Sequence, residues 1–346
     1  MIDRSLRDRY SRQTILAEIG DEGQAKLLAS RAVVIGCGAL GCIIADLLTR
    51  AGVGDIRIID RDFIEYHNLQ RQLIFTEEDI KDELPKAIAA ERYLKKVNST
   101  IKIKGIVADV NYSNIESLCS GADIILDGLD NASTRMLIND YSQKYKIPWV
   151  YGGALATHGM TMNIIPGKSP CLRCIRRGED FDDRTMTCET VGVVNTIPVI
   201  VGSLEVTEAI KILTGSPDVN VDLISFDIWR NRFDRLKVDR YPQCPACNGR
   251  YEFLEKPFKR KLTSLCGQTR AVQIIDTGII KADLKAISKK TQKFRNVRLS
   301  DYFLRFDIDD RQIIIFPDGR TIIKNTIDEN EADSIFTEQV VPLVKN

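Results

Sequence analysis

The sequence predicts an α/β fold: an open, mostly parallel sheet with an antiparallel extension, followed by a small α+β domain. Three observations carry that expectation. Strand and helix signals alternate from Arg31 to Gly152, as a parallel sheet with crossover helices requires. The turn Gly36-Cys37-Gly38-Ala39-Leu40-Gly41 separates the first strand from the first helix of that alternation. Beyond Gly159 the pattern changes: a strand, a charged excursion and one apolar helix lead to β-type residues over Val221–Val238 that read as antiparallel additions.

Taken in order, residues 7–30 read as one amphipathic helical entry with Ile15, Leu16, Ile19, Leu27 and Leu28 as its apolar stripe. A strand over Arg31–Ile35, a helix over Cys42–Ala51 and a strand over Asp55–Asp60 make a βαβ start. Helix signals return at Lys86–Val97, near Ile115–Cys119 and at Ser133–Tyr145. Strands are expected at Lys102–Val107, Asp123–Asp127 and Trp149–Gly152, the second of them fully apolar and so buried on both faces. Met160–Ile165 reads as a further strand, 171–190 as a charged excursion, Thr196–Leu213 as a helix and Val221–Val238 as antiparallel additions. A break near Tyr241–Arg250 divides the chain into an expected domain over 1–250 and another over 251–346. In the second, apolar runs on either side of Pro317-Asp318-Gly319-Arg320 predict a hairpin, and an acidic helix begins at Glu329.

Composition narrows the function. Hydrophobic residues make up 44% and charged residues 28% of the 346, which is usual for a soluble globular chain. Lys+Arg 49 against Asp+Glu 48 leaves a net charge of +1, so no global basic field exists to hold nucleic acid or an anionic membrane. The apolar run Val193–Leu204 is too short to span a bilayer, and the charged N-terminus lacks the apolar stretch of a signal peptide. The expected location is the cytoplasm, where nine cysteines point to metal ligation or thiol chemistry before disulfides.

Gly36, Gly38 and Gly41 match G-x-G-x-x-G after a strand and at the opening of a helix, a Rossmann-like phosphate cradle. Asp60 ends the second strand, where a carboxylate can accept hydrogen bonds from a ribose diol. By itself this pattern fits a nicotinamide oxidoreductase as well as an ATP-using enzyme. The residues that follow favour a triphosphate. Arg71 and Lys86 can neutralise phosphates, Asn68 can donate to a phosphate oxygen, and Asp130 at a strand's C-terminal edge can hold Mg²⁺.

Arg9-Tyr10-Ser11-Arg12-Gln13, the glycine loop, Ala51-Gly52-Val53-Gly54, Asp60-x-Asp62, Asn68-Leu69-Gln70-Arg71-Gln72, Pro85-Lys86 and Asp130-Asn131 occur in one order. Together, over roughly residues 7–250, they resemble the ThiF/MoeB/HesA adenylyltransferases, relatives of the ubiquitin-activating enzymes. The resemblance implies a reaction. A ubiquitin-like sulfur-carrier protein offers its C-terminal Gly-Gly carboxylate to the α-phosphate of Mg-ATP, giving an acyl-adenylate and pyrophosphate. It implies that Asp60 holds the ribose, Asp130 the Mg²⁺, and Arg71 and Lys86 the phosphates, with Asp62, Asn68 and Asn131 in the same nucleotide site. Lys81 is the alternative to Lys86, because the segment from Arg71 to Lys86 is slightly longer than in molybdopterin-type members. Arg12 corresponds to the arginine that members supply to the neighbouring subunit, which implies a homodimer.

Cys171-x-x-Cys174 and Cys244-x-x-Cys247 are two knuckles of the kind that close a tetrahedral thiolate site around Zn²⁺, and the resembling family carries the same pairs. A redox pair is the rival reading of each. Cys188 lies on the excursion between them, where relatives carry a cysteine that takes the carrier as a thioester or acyl disulfide. Cys37, Cys42, Cys119 and Cys266 are expected in the core, and His67 and His158 are expected to be structural. No loop typical of a sulfurtransferase domain follows residue 250, so a separate sulfur donor such as a cysteine desulfurase is expected. The expected function is adenylylation of a ThiS-type carrier in thiazole formation. The same chemistry on a molybdopterin-synthase carrier comes second, and an NAD oxidoreductase or a non-catalytic carrier-binding module are the rivals from other classes.

Overall fold

The computed structural model describes residues 4–177, 191–255, 257–265, 270–279 and 281–345. The chain separates into two compact units, Met1–Lys256 and Pro257–Asn346.

In the first unit the helical entry is two helices, α1 (Arg4–Thr14) and α2 (Gly20–Ala29). Gly20 adopts φ +61°, a left-handed conformation that starts a new element instead of continuing the old one. The predicted stripe is therefore broken. Leu27 is fully buried, but Ile15 and Leu16 are 74% and 50% exposed. Polar side chains anchor α1 instead. The Asn98 amide donates to the Tyr10 hydroxyl at 2.9 Å, and the Gln13 amide donates to the Ala51 carbonyl at 3.0 Å.

Eight strands follow: β1 (Arg31–Ile35), β2 (Asp55–Asp60), β3 (Lys102–Val107), β4 (Ile124–Asp127), β5 (Trp149–Leu155), β6 (His158–Ile164), β7 (Leu223–Asp227) and β8 (Arg232–Leu236). Their order is β3-β2-β1-β4-β5-β6-β7-β8. The first five are parallel and the last three antiparallel, which bears out the predicted mixed sheet. β1 pairs with β2 on one side and β4 on the other, so the strand order reverses there and a crevice opens at the C-terminal edge. Helices α3 (Ala39–Ala51), α4 (Glu77–Lys81), α5 (Lys86–Val97), α6 (Ile115–Cys119), α7 (Ala132–Tyr145), α8 (Leu172–Ile175) and α9 (Thr196–Thr214) connect or cover the strands. Val33, Ile125, Met136, Trp149 and Met162 belong to its largest described core cluster. α3 begins three residues earlier than predicted, because the second half of the glycine loop is already its first turn.

The second unit is one antiparallel sheet of six strands, β9 (Arg260–Leu265), β10 (Ala271–Asp276), β11 (Arg295–Leu299), β12 (Leu304–Ile308), β13 (Arg311–Ile315) and β14 (Thr321–Lys324). α10 (Leu284–Lys290) and α11 (Glu329–Ile335) accompany it. The predicted hairpin is β13–β14, and its turn places Gly319 at φ +82°. Alternation along the strands puts Val272, Ile274, Phe306, Ile313 and Ile315 in one buried layer.

Candidate active site and cysteine cluster

Three glycines let two strand ends meet at the crevice. Gly36 adopts φ +90°, which most side chains disfavour. A Cβ on Gly41 would lie 1.9 Å from the Gly36 carbonyl oxygen, and one on Gly128 would lie 2.2 Å from it. These two glycines are demanded by packing. Gly38 is different: among the described residues a Cβ there meets nothing closer than 3.8 Å, so packing does not demand a glycine at this position. The first turn of α3 presents backbone N–H groups without helical partners at the same place.

The charges gather around this loop. Asp60 accepts hydrogen bonds from the backbone N–H of Cys37 at 2.6 Å and of Asp62 at 2.7 Å, so it fixes the loop as well as facing the crevice. Burial pushes its pKa up, with Lys86 pulling it back down. Lys86 follows Pro85 at the start of α5, is 8% exposed, and has Nζ 3.5 Å from an Asp62 oxygen. Burial disfavours its charge, but Asp62, Asp60 and Asp130 outweigh that and hold the ammonium protonated. Lys81 is exposed at the end of α4, so Lys86 is the lysine beside the loop. Asp130 lies exposed just past β4, and its field also reaches Arg61 and Arg135. Asn131 caps α7 by accepting from the Thr134 N–H at 3.0 Å.

Asn68 and Arg71 lie on the turn after β2. Asn68 is 4% exposed and its oxygen accepts from the Glu65 N–H, which leaves its amide as the donor. Arg71 donates to the His67 carbonyl at 2.8 Å. Gln72, 3% exposed, reaches to 3.9 Å from a Cβ position on Gly38, which places this turn against the glycine loop. Arg12 is not in the group. α1 is tied to Ala51 and packs Tyr10 on Gly52, at the far end of α3 from the loop. The 13 residues of α3 span about 20 Å, so an exposed Arg12 points to solvent well away from its own loop.

Some groups at the site escape sequence reading. Asp127 and Arg135 form a buried ion pair at 2.8 Å, and Arg61 pairs with Asp109 at 2.9 Å. The only signal in the sequence is an acid ending an apolar strand. Both histidines lie on the surface beside carboxylates, His67 near Glu65 and His158 near Asp227.

The second constellation joins Cys171 and Cys174 at the start of α8 to Cys244 and Cys247. Their sulfurs lie within 4.8 Å of one another, with pairs at 3.5, 3.5, 3.6 and 3.9 Å. A tetrahedron of thiolates around a metal at about 2.3 Å has edges of about 3.8 Å, so the four fit one ion with no open position. α7 steadies both knuckles. Asn139 accepts from the Leu172 N–H and Asp140 from the Phe253 N–H, each at 2.8 Å. Cys188 lies outside the described residues, as does Cys266. Cys37 and Cys42 are fully buried, and burial pushes the Cys119 thiol up to about 12.

Residues 10–246 match the model of the ThiF family. The sulfur carrier protein ThiS adenylyltransferase of Bacillus subtilis is 40% identical over 332 residues, covering 95% of this chain and 98% of that protein. The SAMP-activating enzyme E1 of Haloferax volcanii is 34% identical, covering 71% of this chain and 90% of that protein. Among solved structures, Escherichia coli MccB with MccA-N7isoASN superposes with a TM-score of 0.62 at 24% identity, covering 69% of this chain and 74% of that one. The chain belongs to the ThiF family.

Proposed function

We propose that this ThiF-family chain is an ATP-dependent adenylyltransferase that acts on the C-terminal Gly-Gly carboxylate of a ubiquitin-like sulfur carrier, of the ThiS type used in thiazole formation. The observation that carries the reading is the placement of a buried lysine, Lys86, and an exposed acid, Asp130, around the glycine loop at the β1–β4 edge. A dinucleotide needs no such buried cation, whereas a triphosphate does. The near full-length similarity to a ThiS adenylyltransferase supports the choice of carrier.

The carrier carboxylate oxygen bonds to the α-phosphorus as the bond to the bridging oxygen breaks, and pyrophosphate departs with that electron pair. Loop N–H groups and Gly38 receive the phosphates, and Asp60 accepts from the ribose hydroxyls. Lys86 and Arg71 neutralise the β- and γ-phosphates and stabilise the leaving group, with Asn68 donating beside them. Asp130, a carboxylate with no hydrogen bond among the described residues, suits Mg²⁺, which is bound through one or two carboxylates plus substrate phosphates. The metal would supply charge screening on the triphosphate. Zn²⁺ held by Cys171, Cys174, Cys244 and Cys247 is structural, since four thiolates leave no position for substrate.

Arg12 serves the neighbouring subunit's nucleotide, because its own loop is about a helix length away. The working unit is thus a homodimer. Sulfur comes from a separate donor such as a cysteine desulfurase, Cys188 is the attachment point for the carrier, and the setting is the cytoplasm. Among the described residues no helix is long and apolar enough to cross a membrane. Carrier-dependent exchange of labelled pyrophosphate into ATP tests the reading. Exchange with a ThiS-type carrier is the expected result; none with any Gly-Gly carrier, together with reduction of a nicotinamide, would overturn it.

A further inference from the structure

The short segment between β4 and α7 is pinned at every position but one. The Gly128 N–H donates to the Ile35 carbonyl at 2.8 Å, and its Cα lies against Gly36. The Leu129 N–H donates to Asp127 Oδ1 at 2.9 Å. Asn131 is committed to the N-terminus of α7. Asp130 alone keeps an exposed carboxylate with no hydrogen bond among the described residues.

One side chain ties this segment to the rest of the sheet. Arg135, one turn into α7 and 14% exposed, donates from Nε to Asp127 Oδ2 at 2.8 Å. Its Nη2 donates to the Leu129 carbonyl at 2.6 Å and to the Gly152 carbonyl at 2.8 Å. A single guanidinium therefore holds the end of β4, the residue before Asp130, and the neighbouring strand β5. Its charge is well supported. Burial disfavours it, but Asp127, with Tyr151 and Asp130, more than compensates. Beneath it lies Glu205 of α9, fully buried with neither oxygen hydrogen-bonded among the described residues. Burial, then Asp127, pushes its pKa well up, and Arg135 pulls it back down. Its carboxyl so crowds Gly152 that a Cβ there would lie 1.8 Å from Oε1. The floor under Arg135 has no slack.

We propose that Arg135 is the positioning residue for Asp130, clamping residues 127–130 to β5 so that the Asp130 carboxylate stands ready at the crevice for the divalent cation that accompanies the nucleotide. The proposal rests on the reading of Asp130 as that cation's ligand. The three bonds of Arg135 go to Asp127, Leu129 and Gly152. Arg135 acts through the Leu129 carbonyl, and a lysine, with one compact donor group in place of a planar fork, cannot reproduce all three bonds.

The test is Mn²⁺ binding to the full chain, read from the free Mn²⁺ resonance signal, with a non-hydrolysable ATP analogue present. For Arg135→Lys the expected result is about a tenfold weaker Mn²⁺ affinity, with analogue binding in the absence of metal unchanged. Excess Mg²⁺ is expected to restore pyrophosphate exchange in that variant. A role confined to stability would lower the yield of folded protein but leave the affinity per folded chain as it was. Asp127→Asn, which keeps the shape and weakens the same clamp, must show the same direction of change and serves if Arg135→Lys does not fold. Wild-type affinity in either folded variant overturns the clamp. A wild-type chain whose Mn²⁺ binding equals that of Asp130→Ala refutes the reading of Asp130 instead, and the clamp falls with it.

Discussion

The crevice and the cysteine cluster each gather residues from distant parts of the chain, and they differ in what they leave open. At the crevice a Cβ on Gly38 would meet nothing closer than 3.8 Å among the described residues, Asp130 is exposed, and Lys86 is held charged by Asp62, Asp60 and Asp130. At the cluster every sulfur faces three others, and three of the four cysteines are buried. The first arrangement keeps binding capacity in reserve for a ligand; the second spends it on the chain itself. Loss of a crevice residue should therefore remove activity and spare the fold, whereas loss of a cluster residue should do the reverse first.

Four changes sharpen or break that contrast. The largest effect is expected from Asp130→Ala, which should lower carrier-dependent pyrophosphate exchange by about a thousandfold while the melting temperature stays put. A variant that unfolds would place Asp130 with the cysteines. Next, Cys244→Ser, or a strong chelator on the wild-type chain, should release one zinc per chain by elemental analysis and lower stability by about 3 kcal/mol or more. Unchanged thermal unfolding after complete zinc loss would deny the cluster its structural part. Third, mixing inactive Arg12→Ala with inactive Asp130→Ala should restore about a quarter of wild-type exchange, since about half the dimers become mixed and each then holds one intact site. No recovery on subunit exchange would return Arg12 to its own chain.

The smallest effect concerns Asp140, which links α7 to the chain after the second knuckle. It is 1% exposed, and burial pushes its pKa up to about 6 despite the Phe253 N–H and Arg173. A carboxyl whose folded pKa lies above its unfolded value binds more protons when folded, so stability falls as pH rises between about 4 and 6. Above that window the cost is at most about 3 kcal/mol. Asp140→Asn keeps an acceptor for Phe253 and should raise the melting temperature at pH 8 more than at pH 5. An equal change at both pH values would mean that Asp140 does not titrate in this range.

The two regions were unequally legible in the sequence. The glycine loop, Asp60, Lys86 and the paired cysteines announce themselves because backbone approach and tetrahedral ligation demand fixed residue types at fixed spacing. The parallel strands were readable because burial on both faces leaves almost nothing but Val, Ile and Leu. What stayed hidden depends on tertiary approach. Ile15 and Leu16 have helical spacing, yet Gly20 breaks the helix and Tyr10 and Gln13 dock α1 by polar contacts. The fork of Arg135 bridges Leu129 and Gly152 only because β4 and β5 are neighbours, which no local pattern states. Six antiparallel strands in the second unit gave one clear hairpin signal, because only β13 and β14 flank an Asp-Gly turn with unbroken apolar runs.

The central claim is that the crevice holds ATP so that a carboxylate from another polypeptide attacks its innermost phosphorus. The most direct measurement labels the carrier's terminal carboxylate with ¹⁸O and traps the acyl-adenylate with hydroxylamine, which attacks the carbonyl carbon. The bridging oxygen should then leave with AMP, so AMP carrying ¹⁸O is the predicted result. Unlabelled AMP formed alongside carrier hydroxamate would contradict it, because the carboxylate would not have been the group that met the phosphorus.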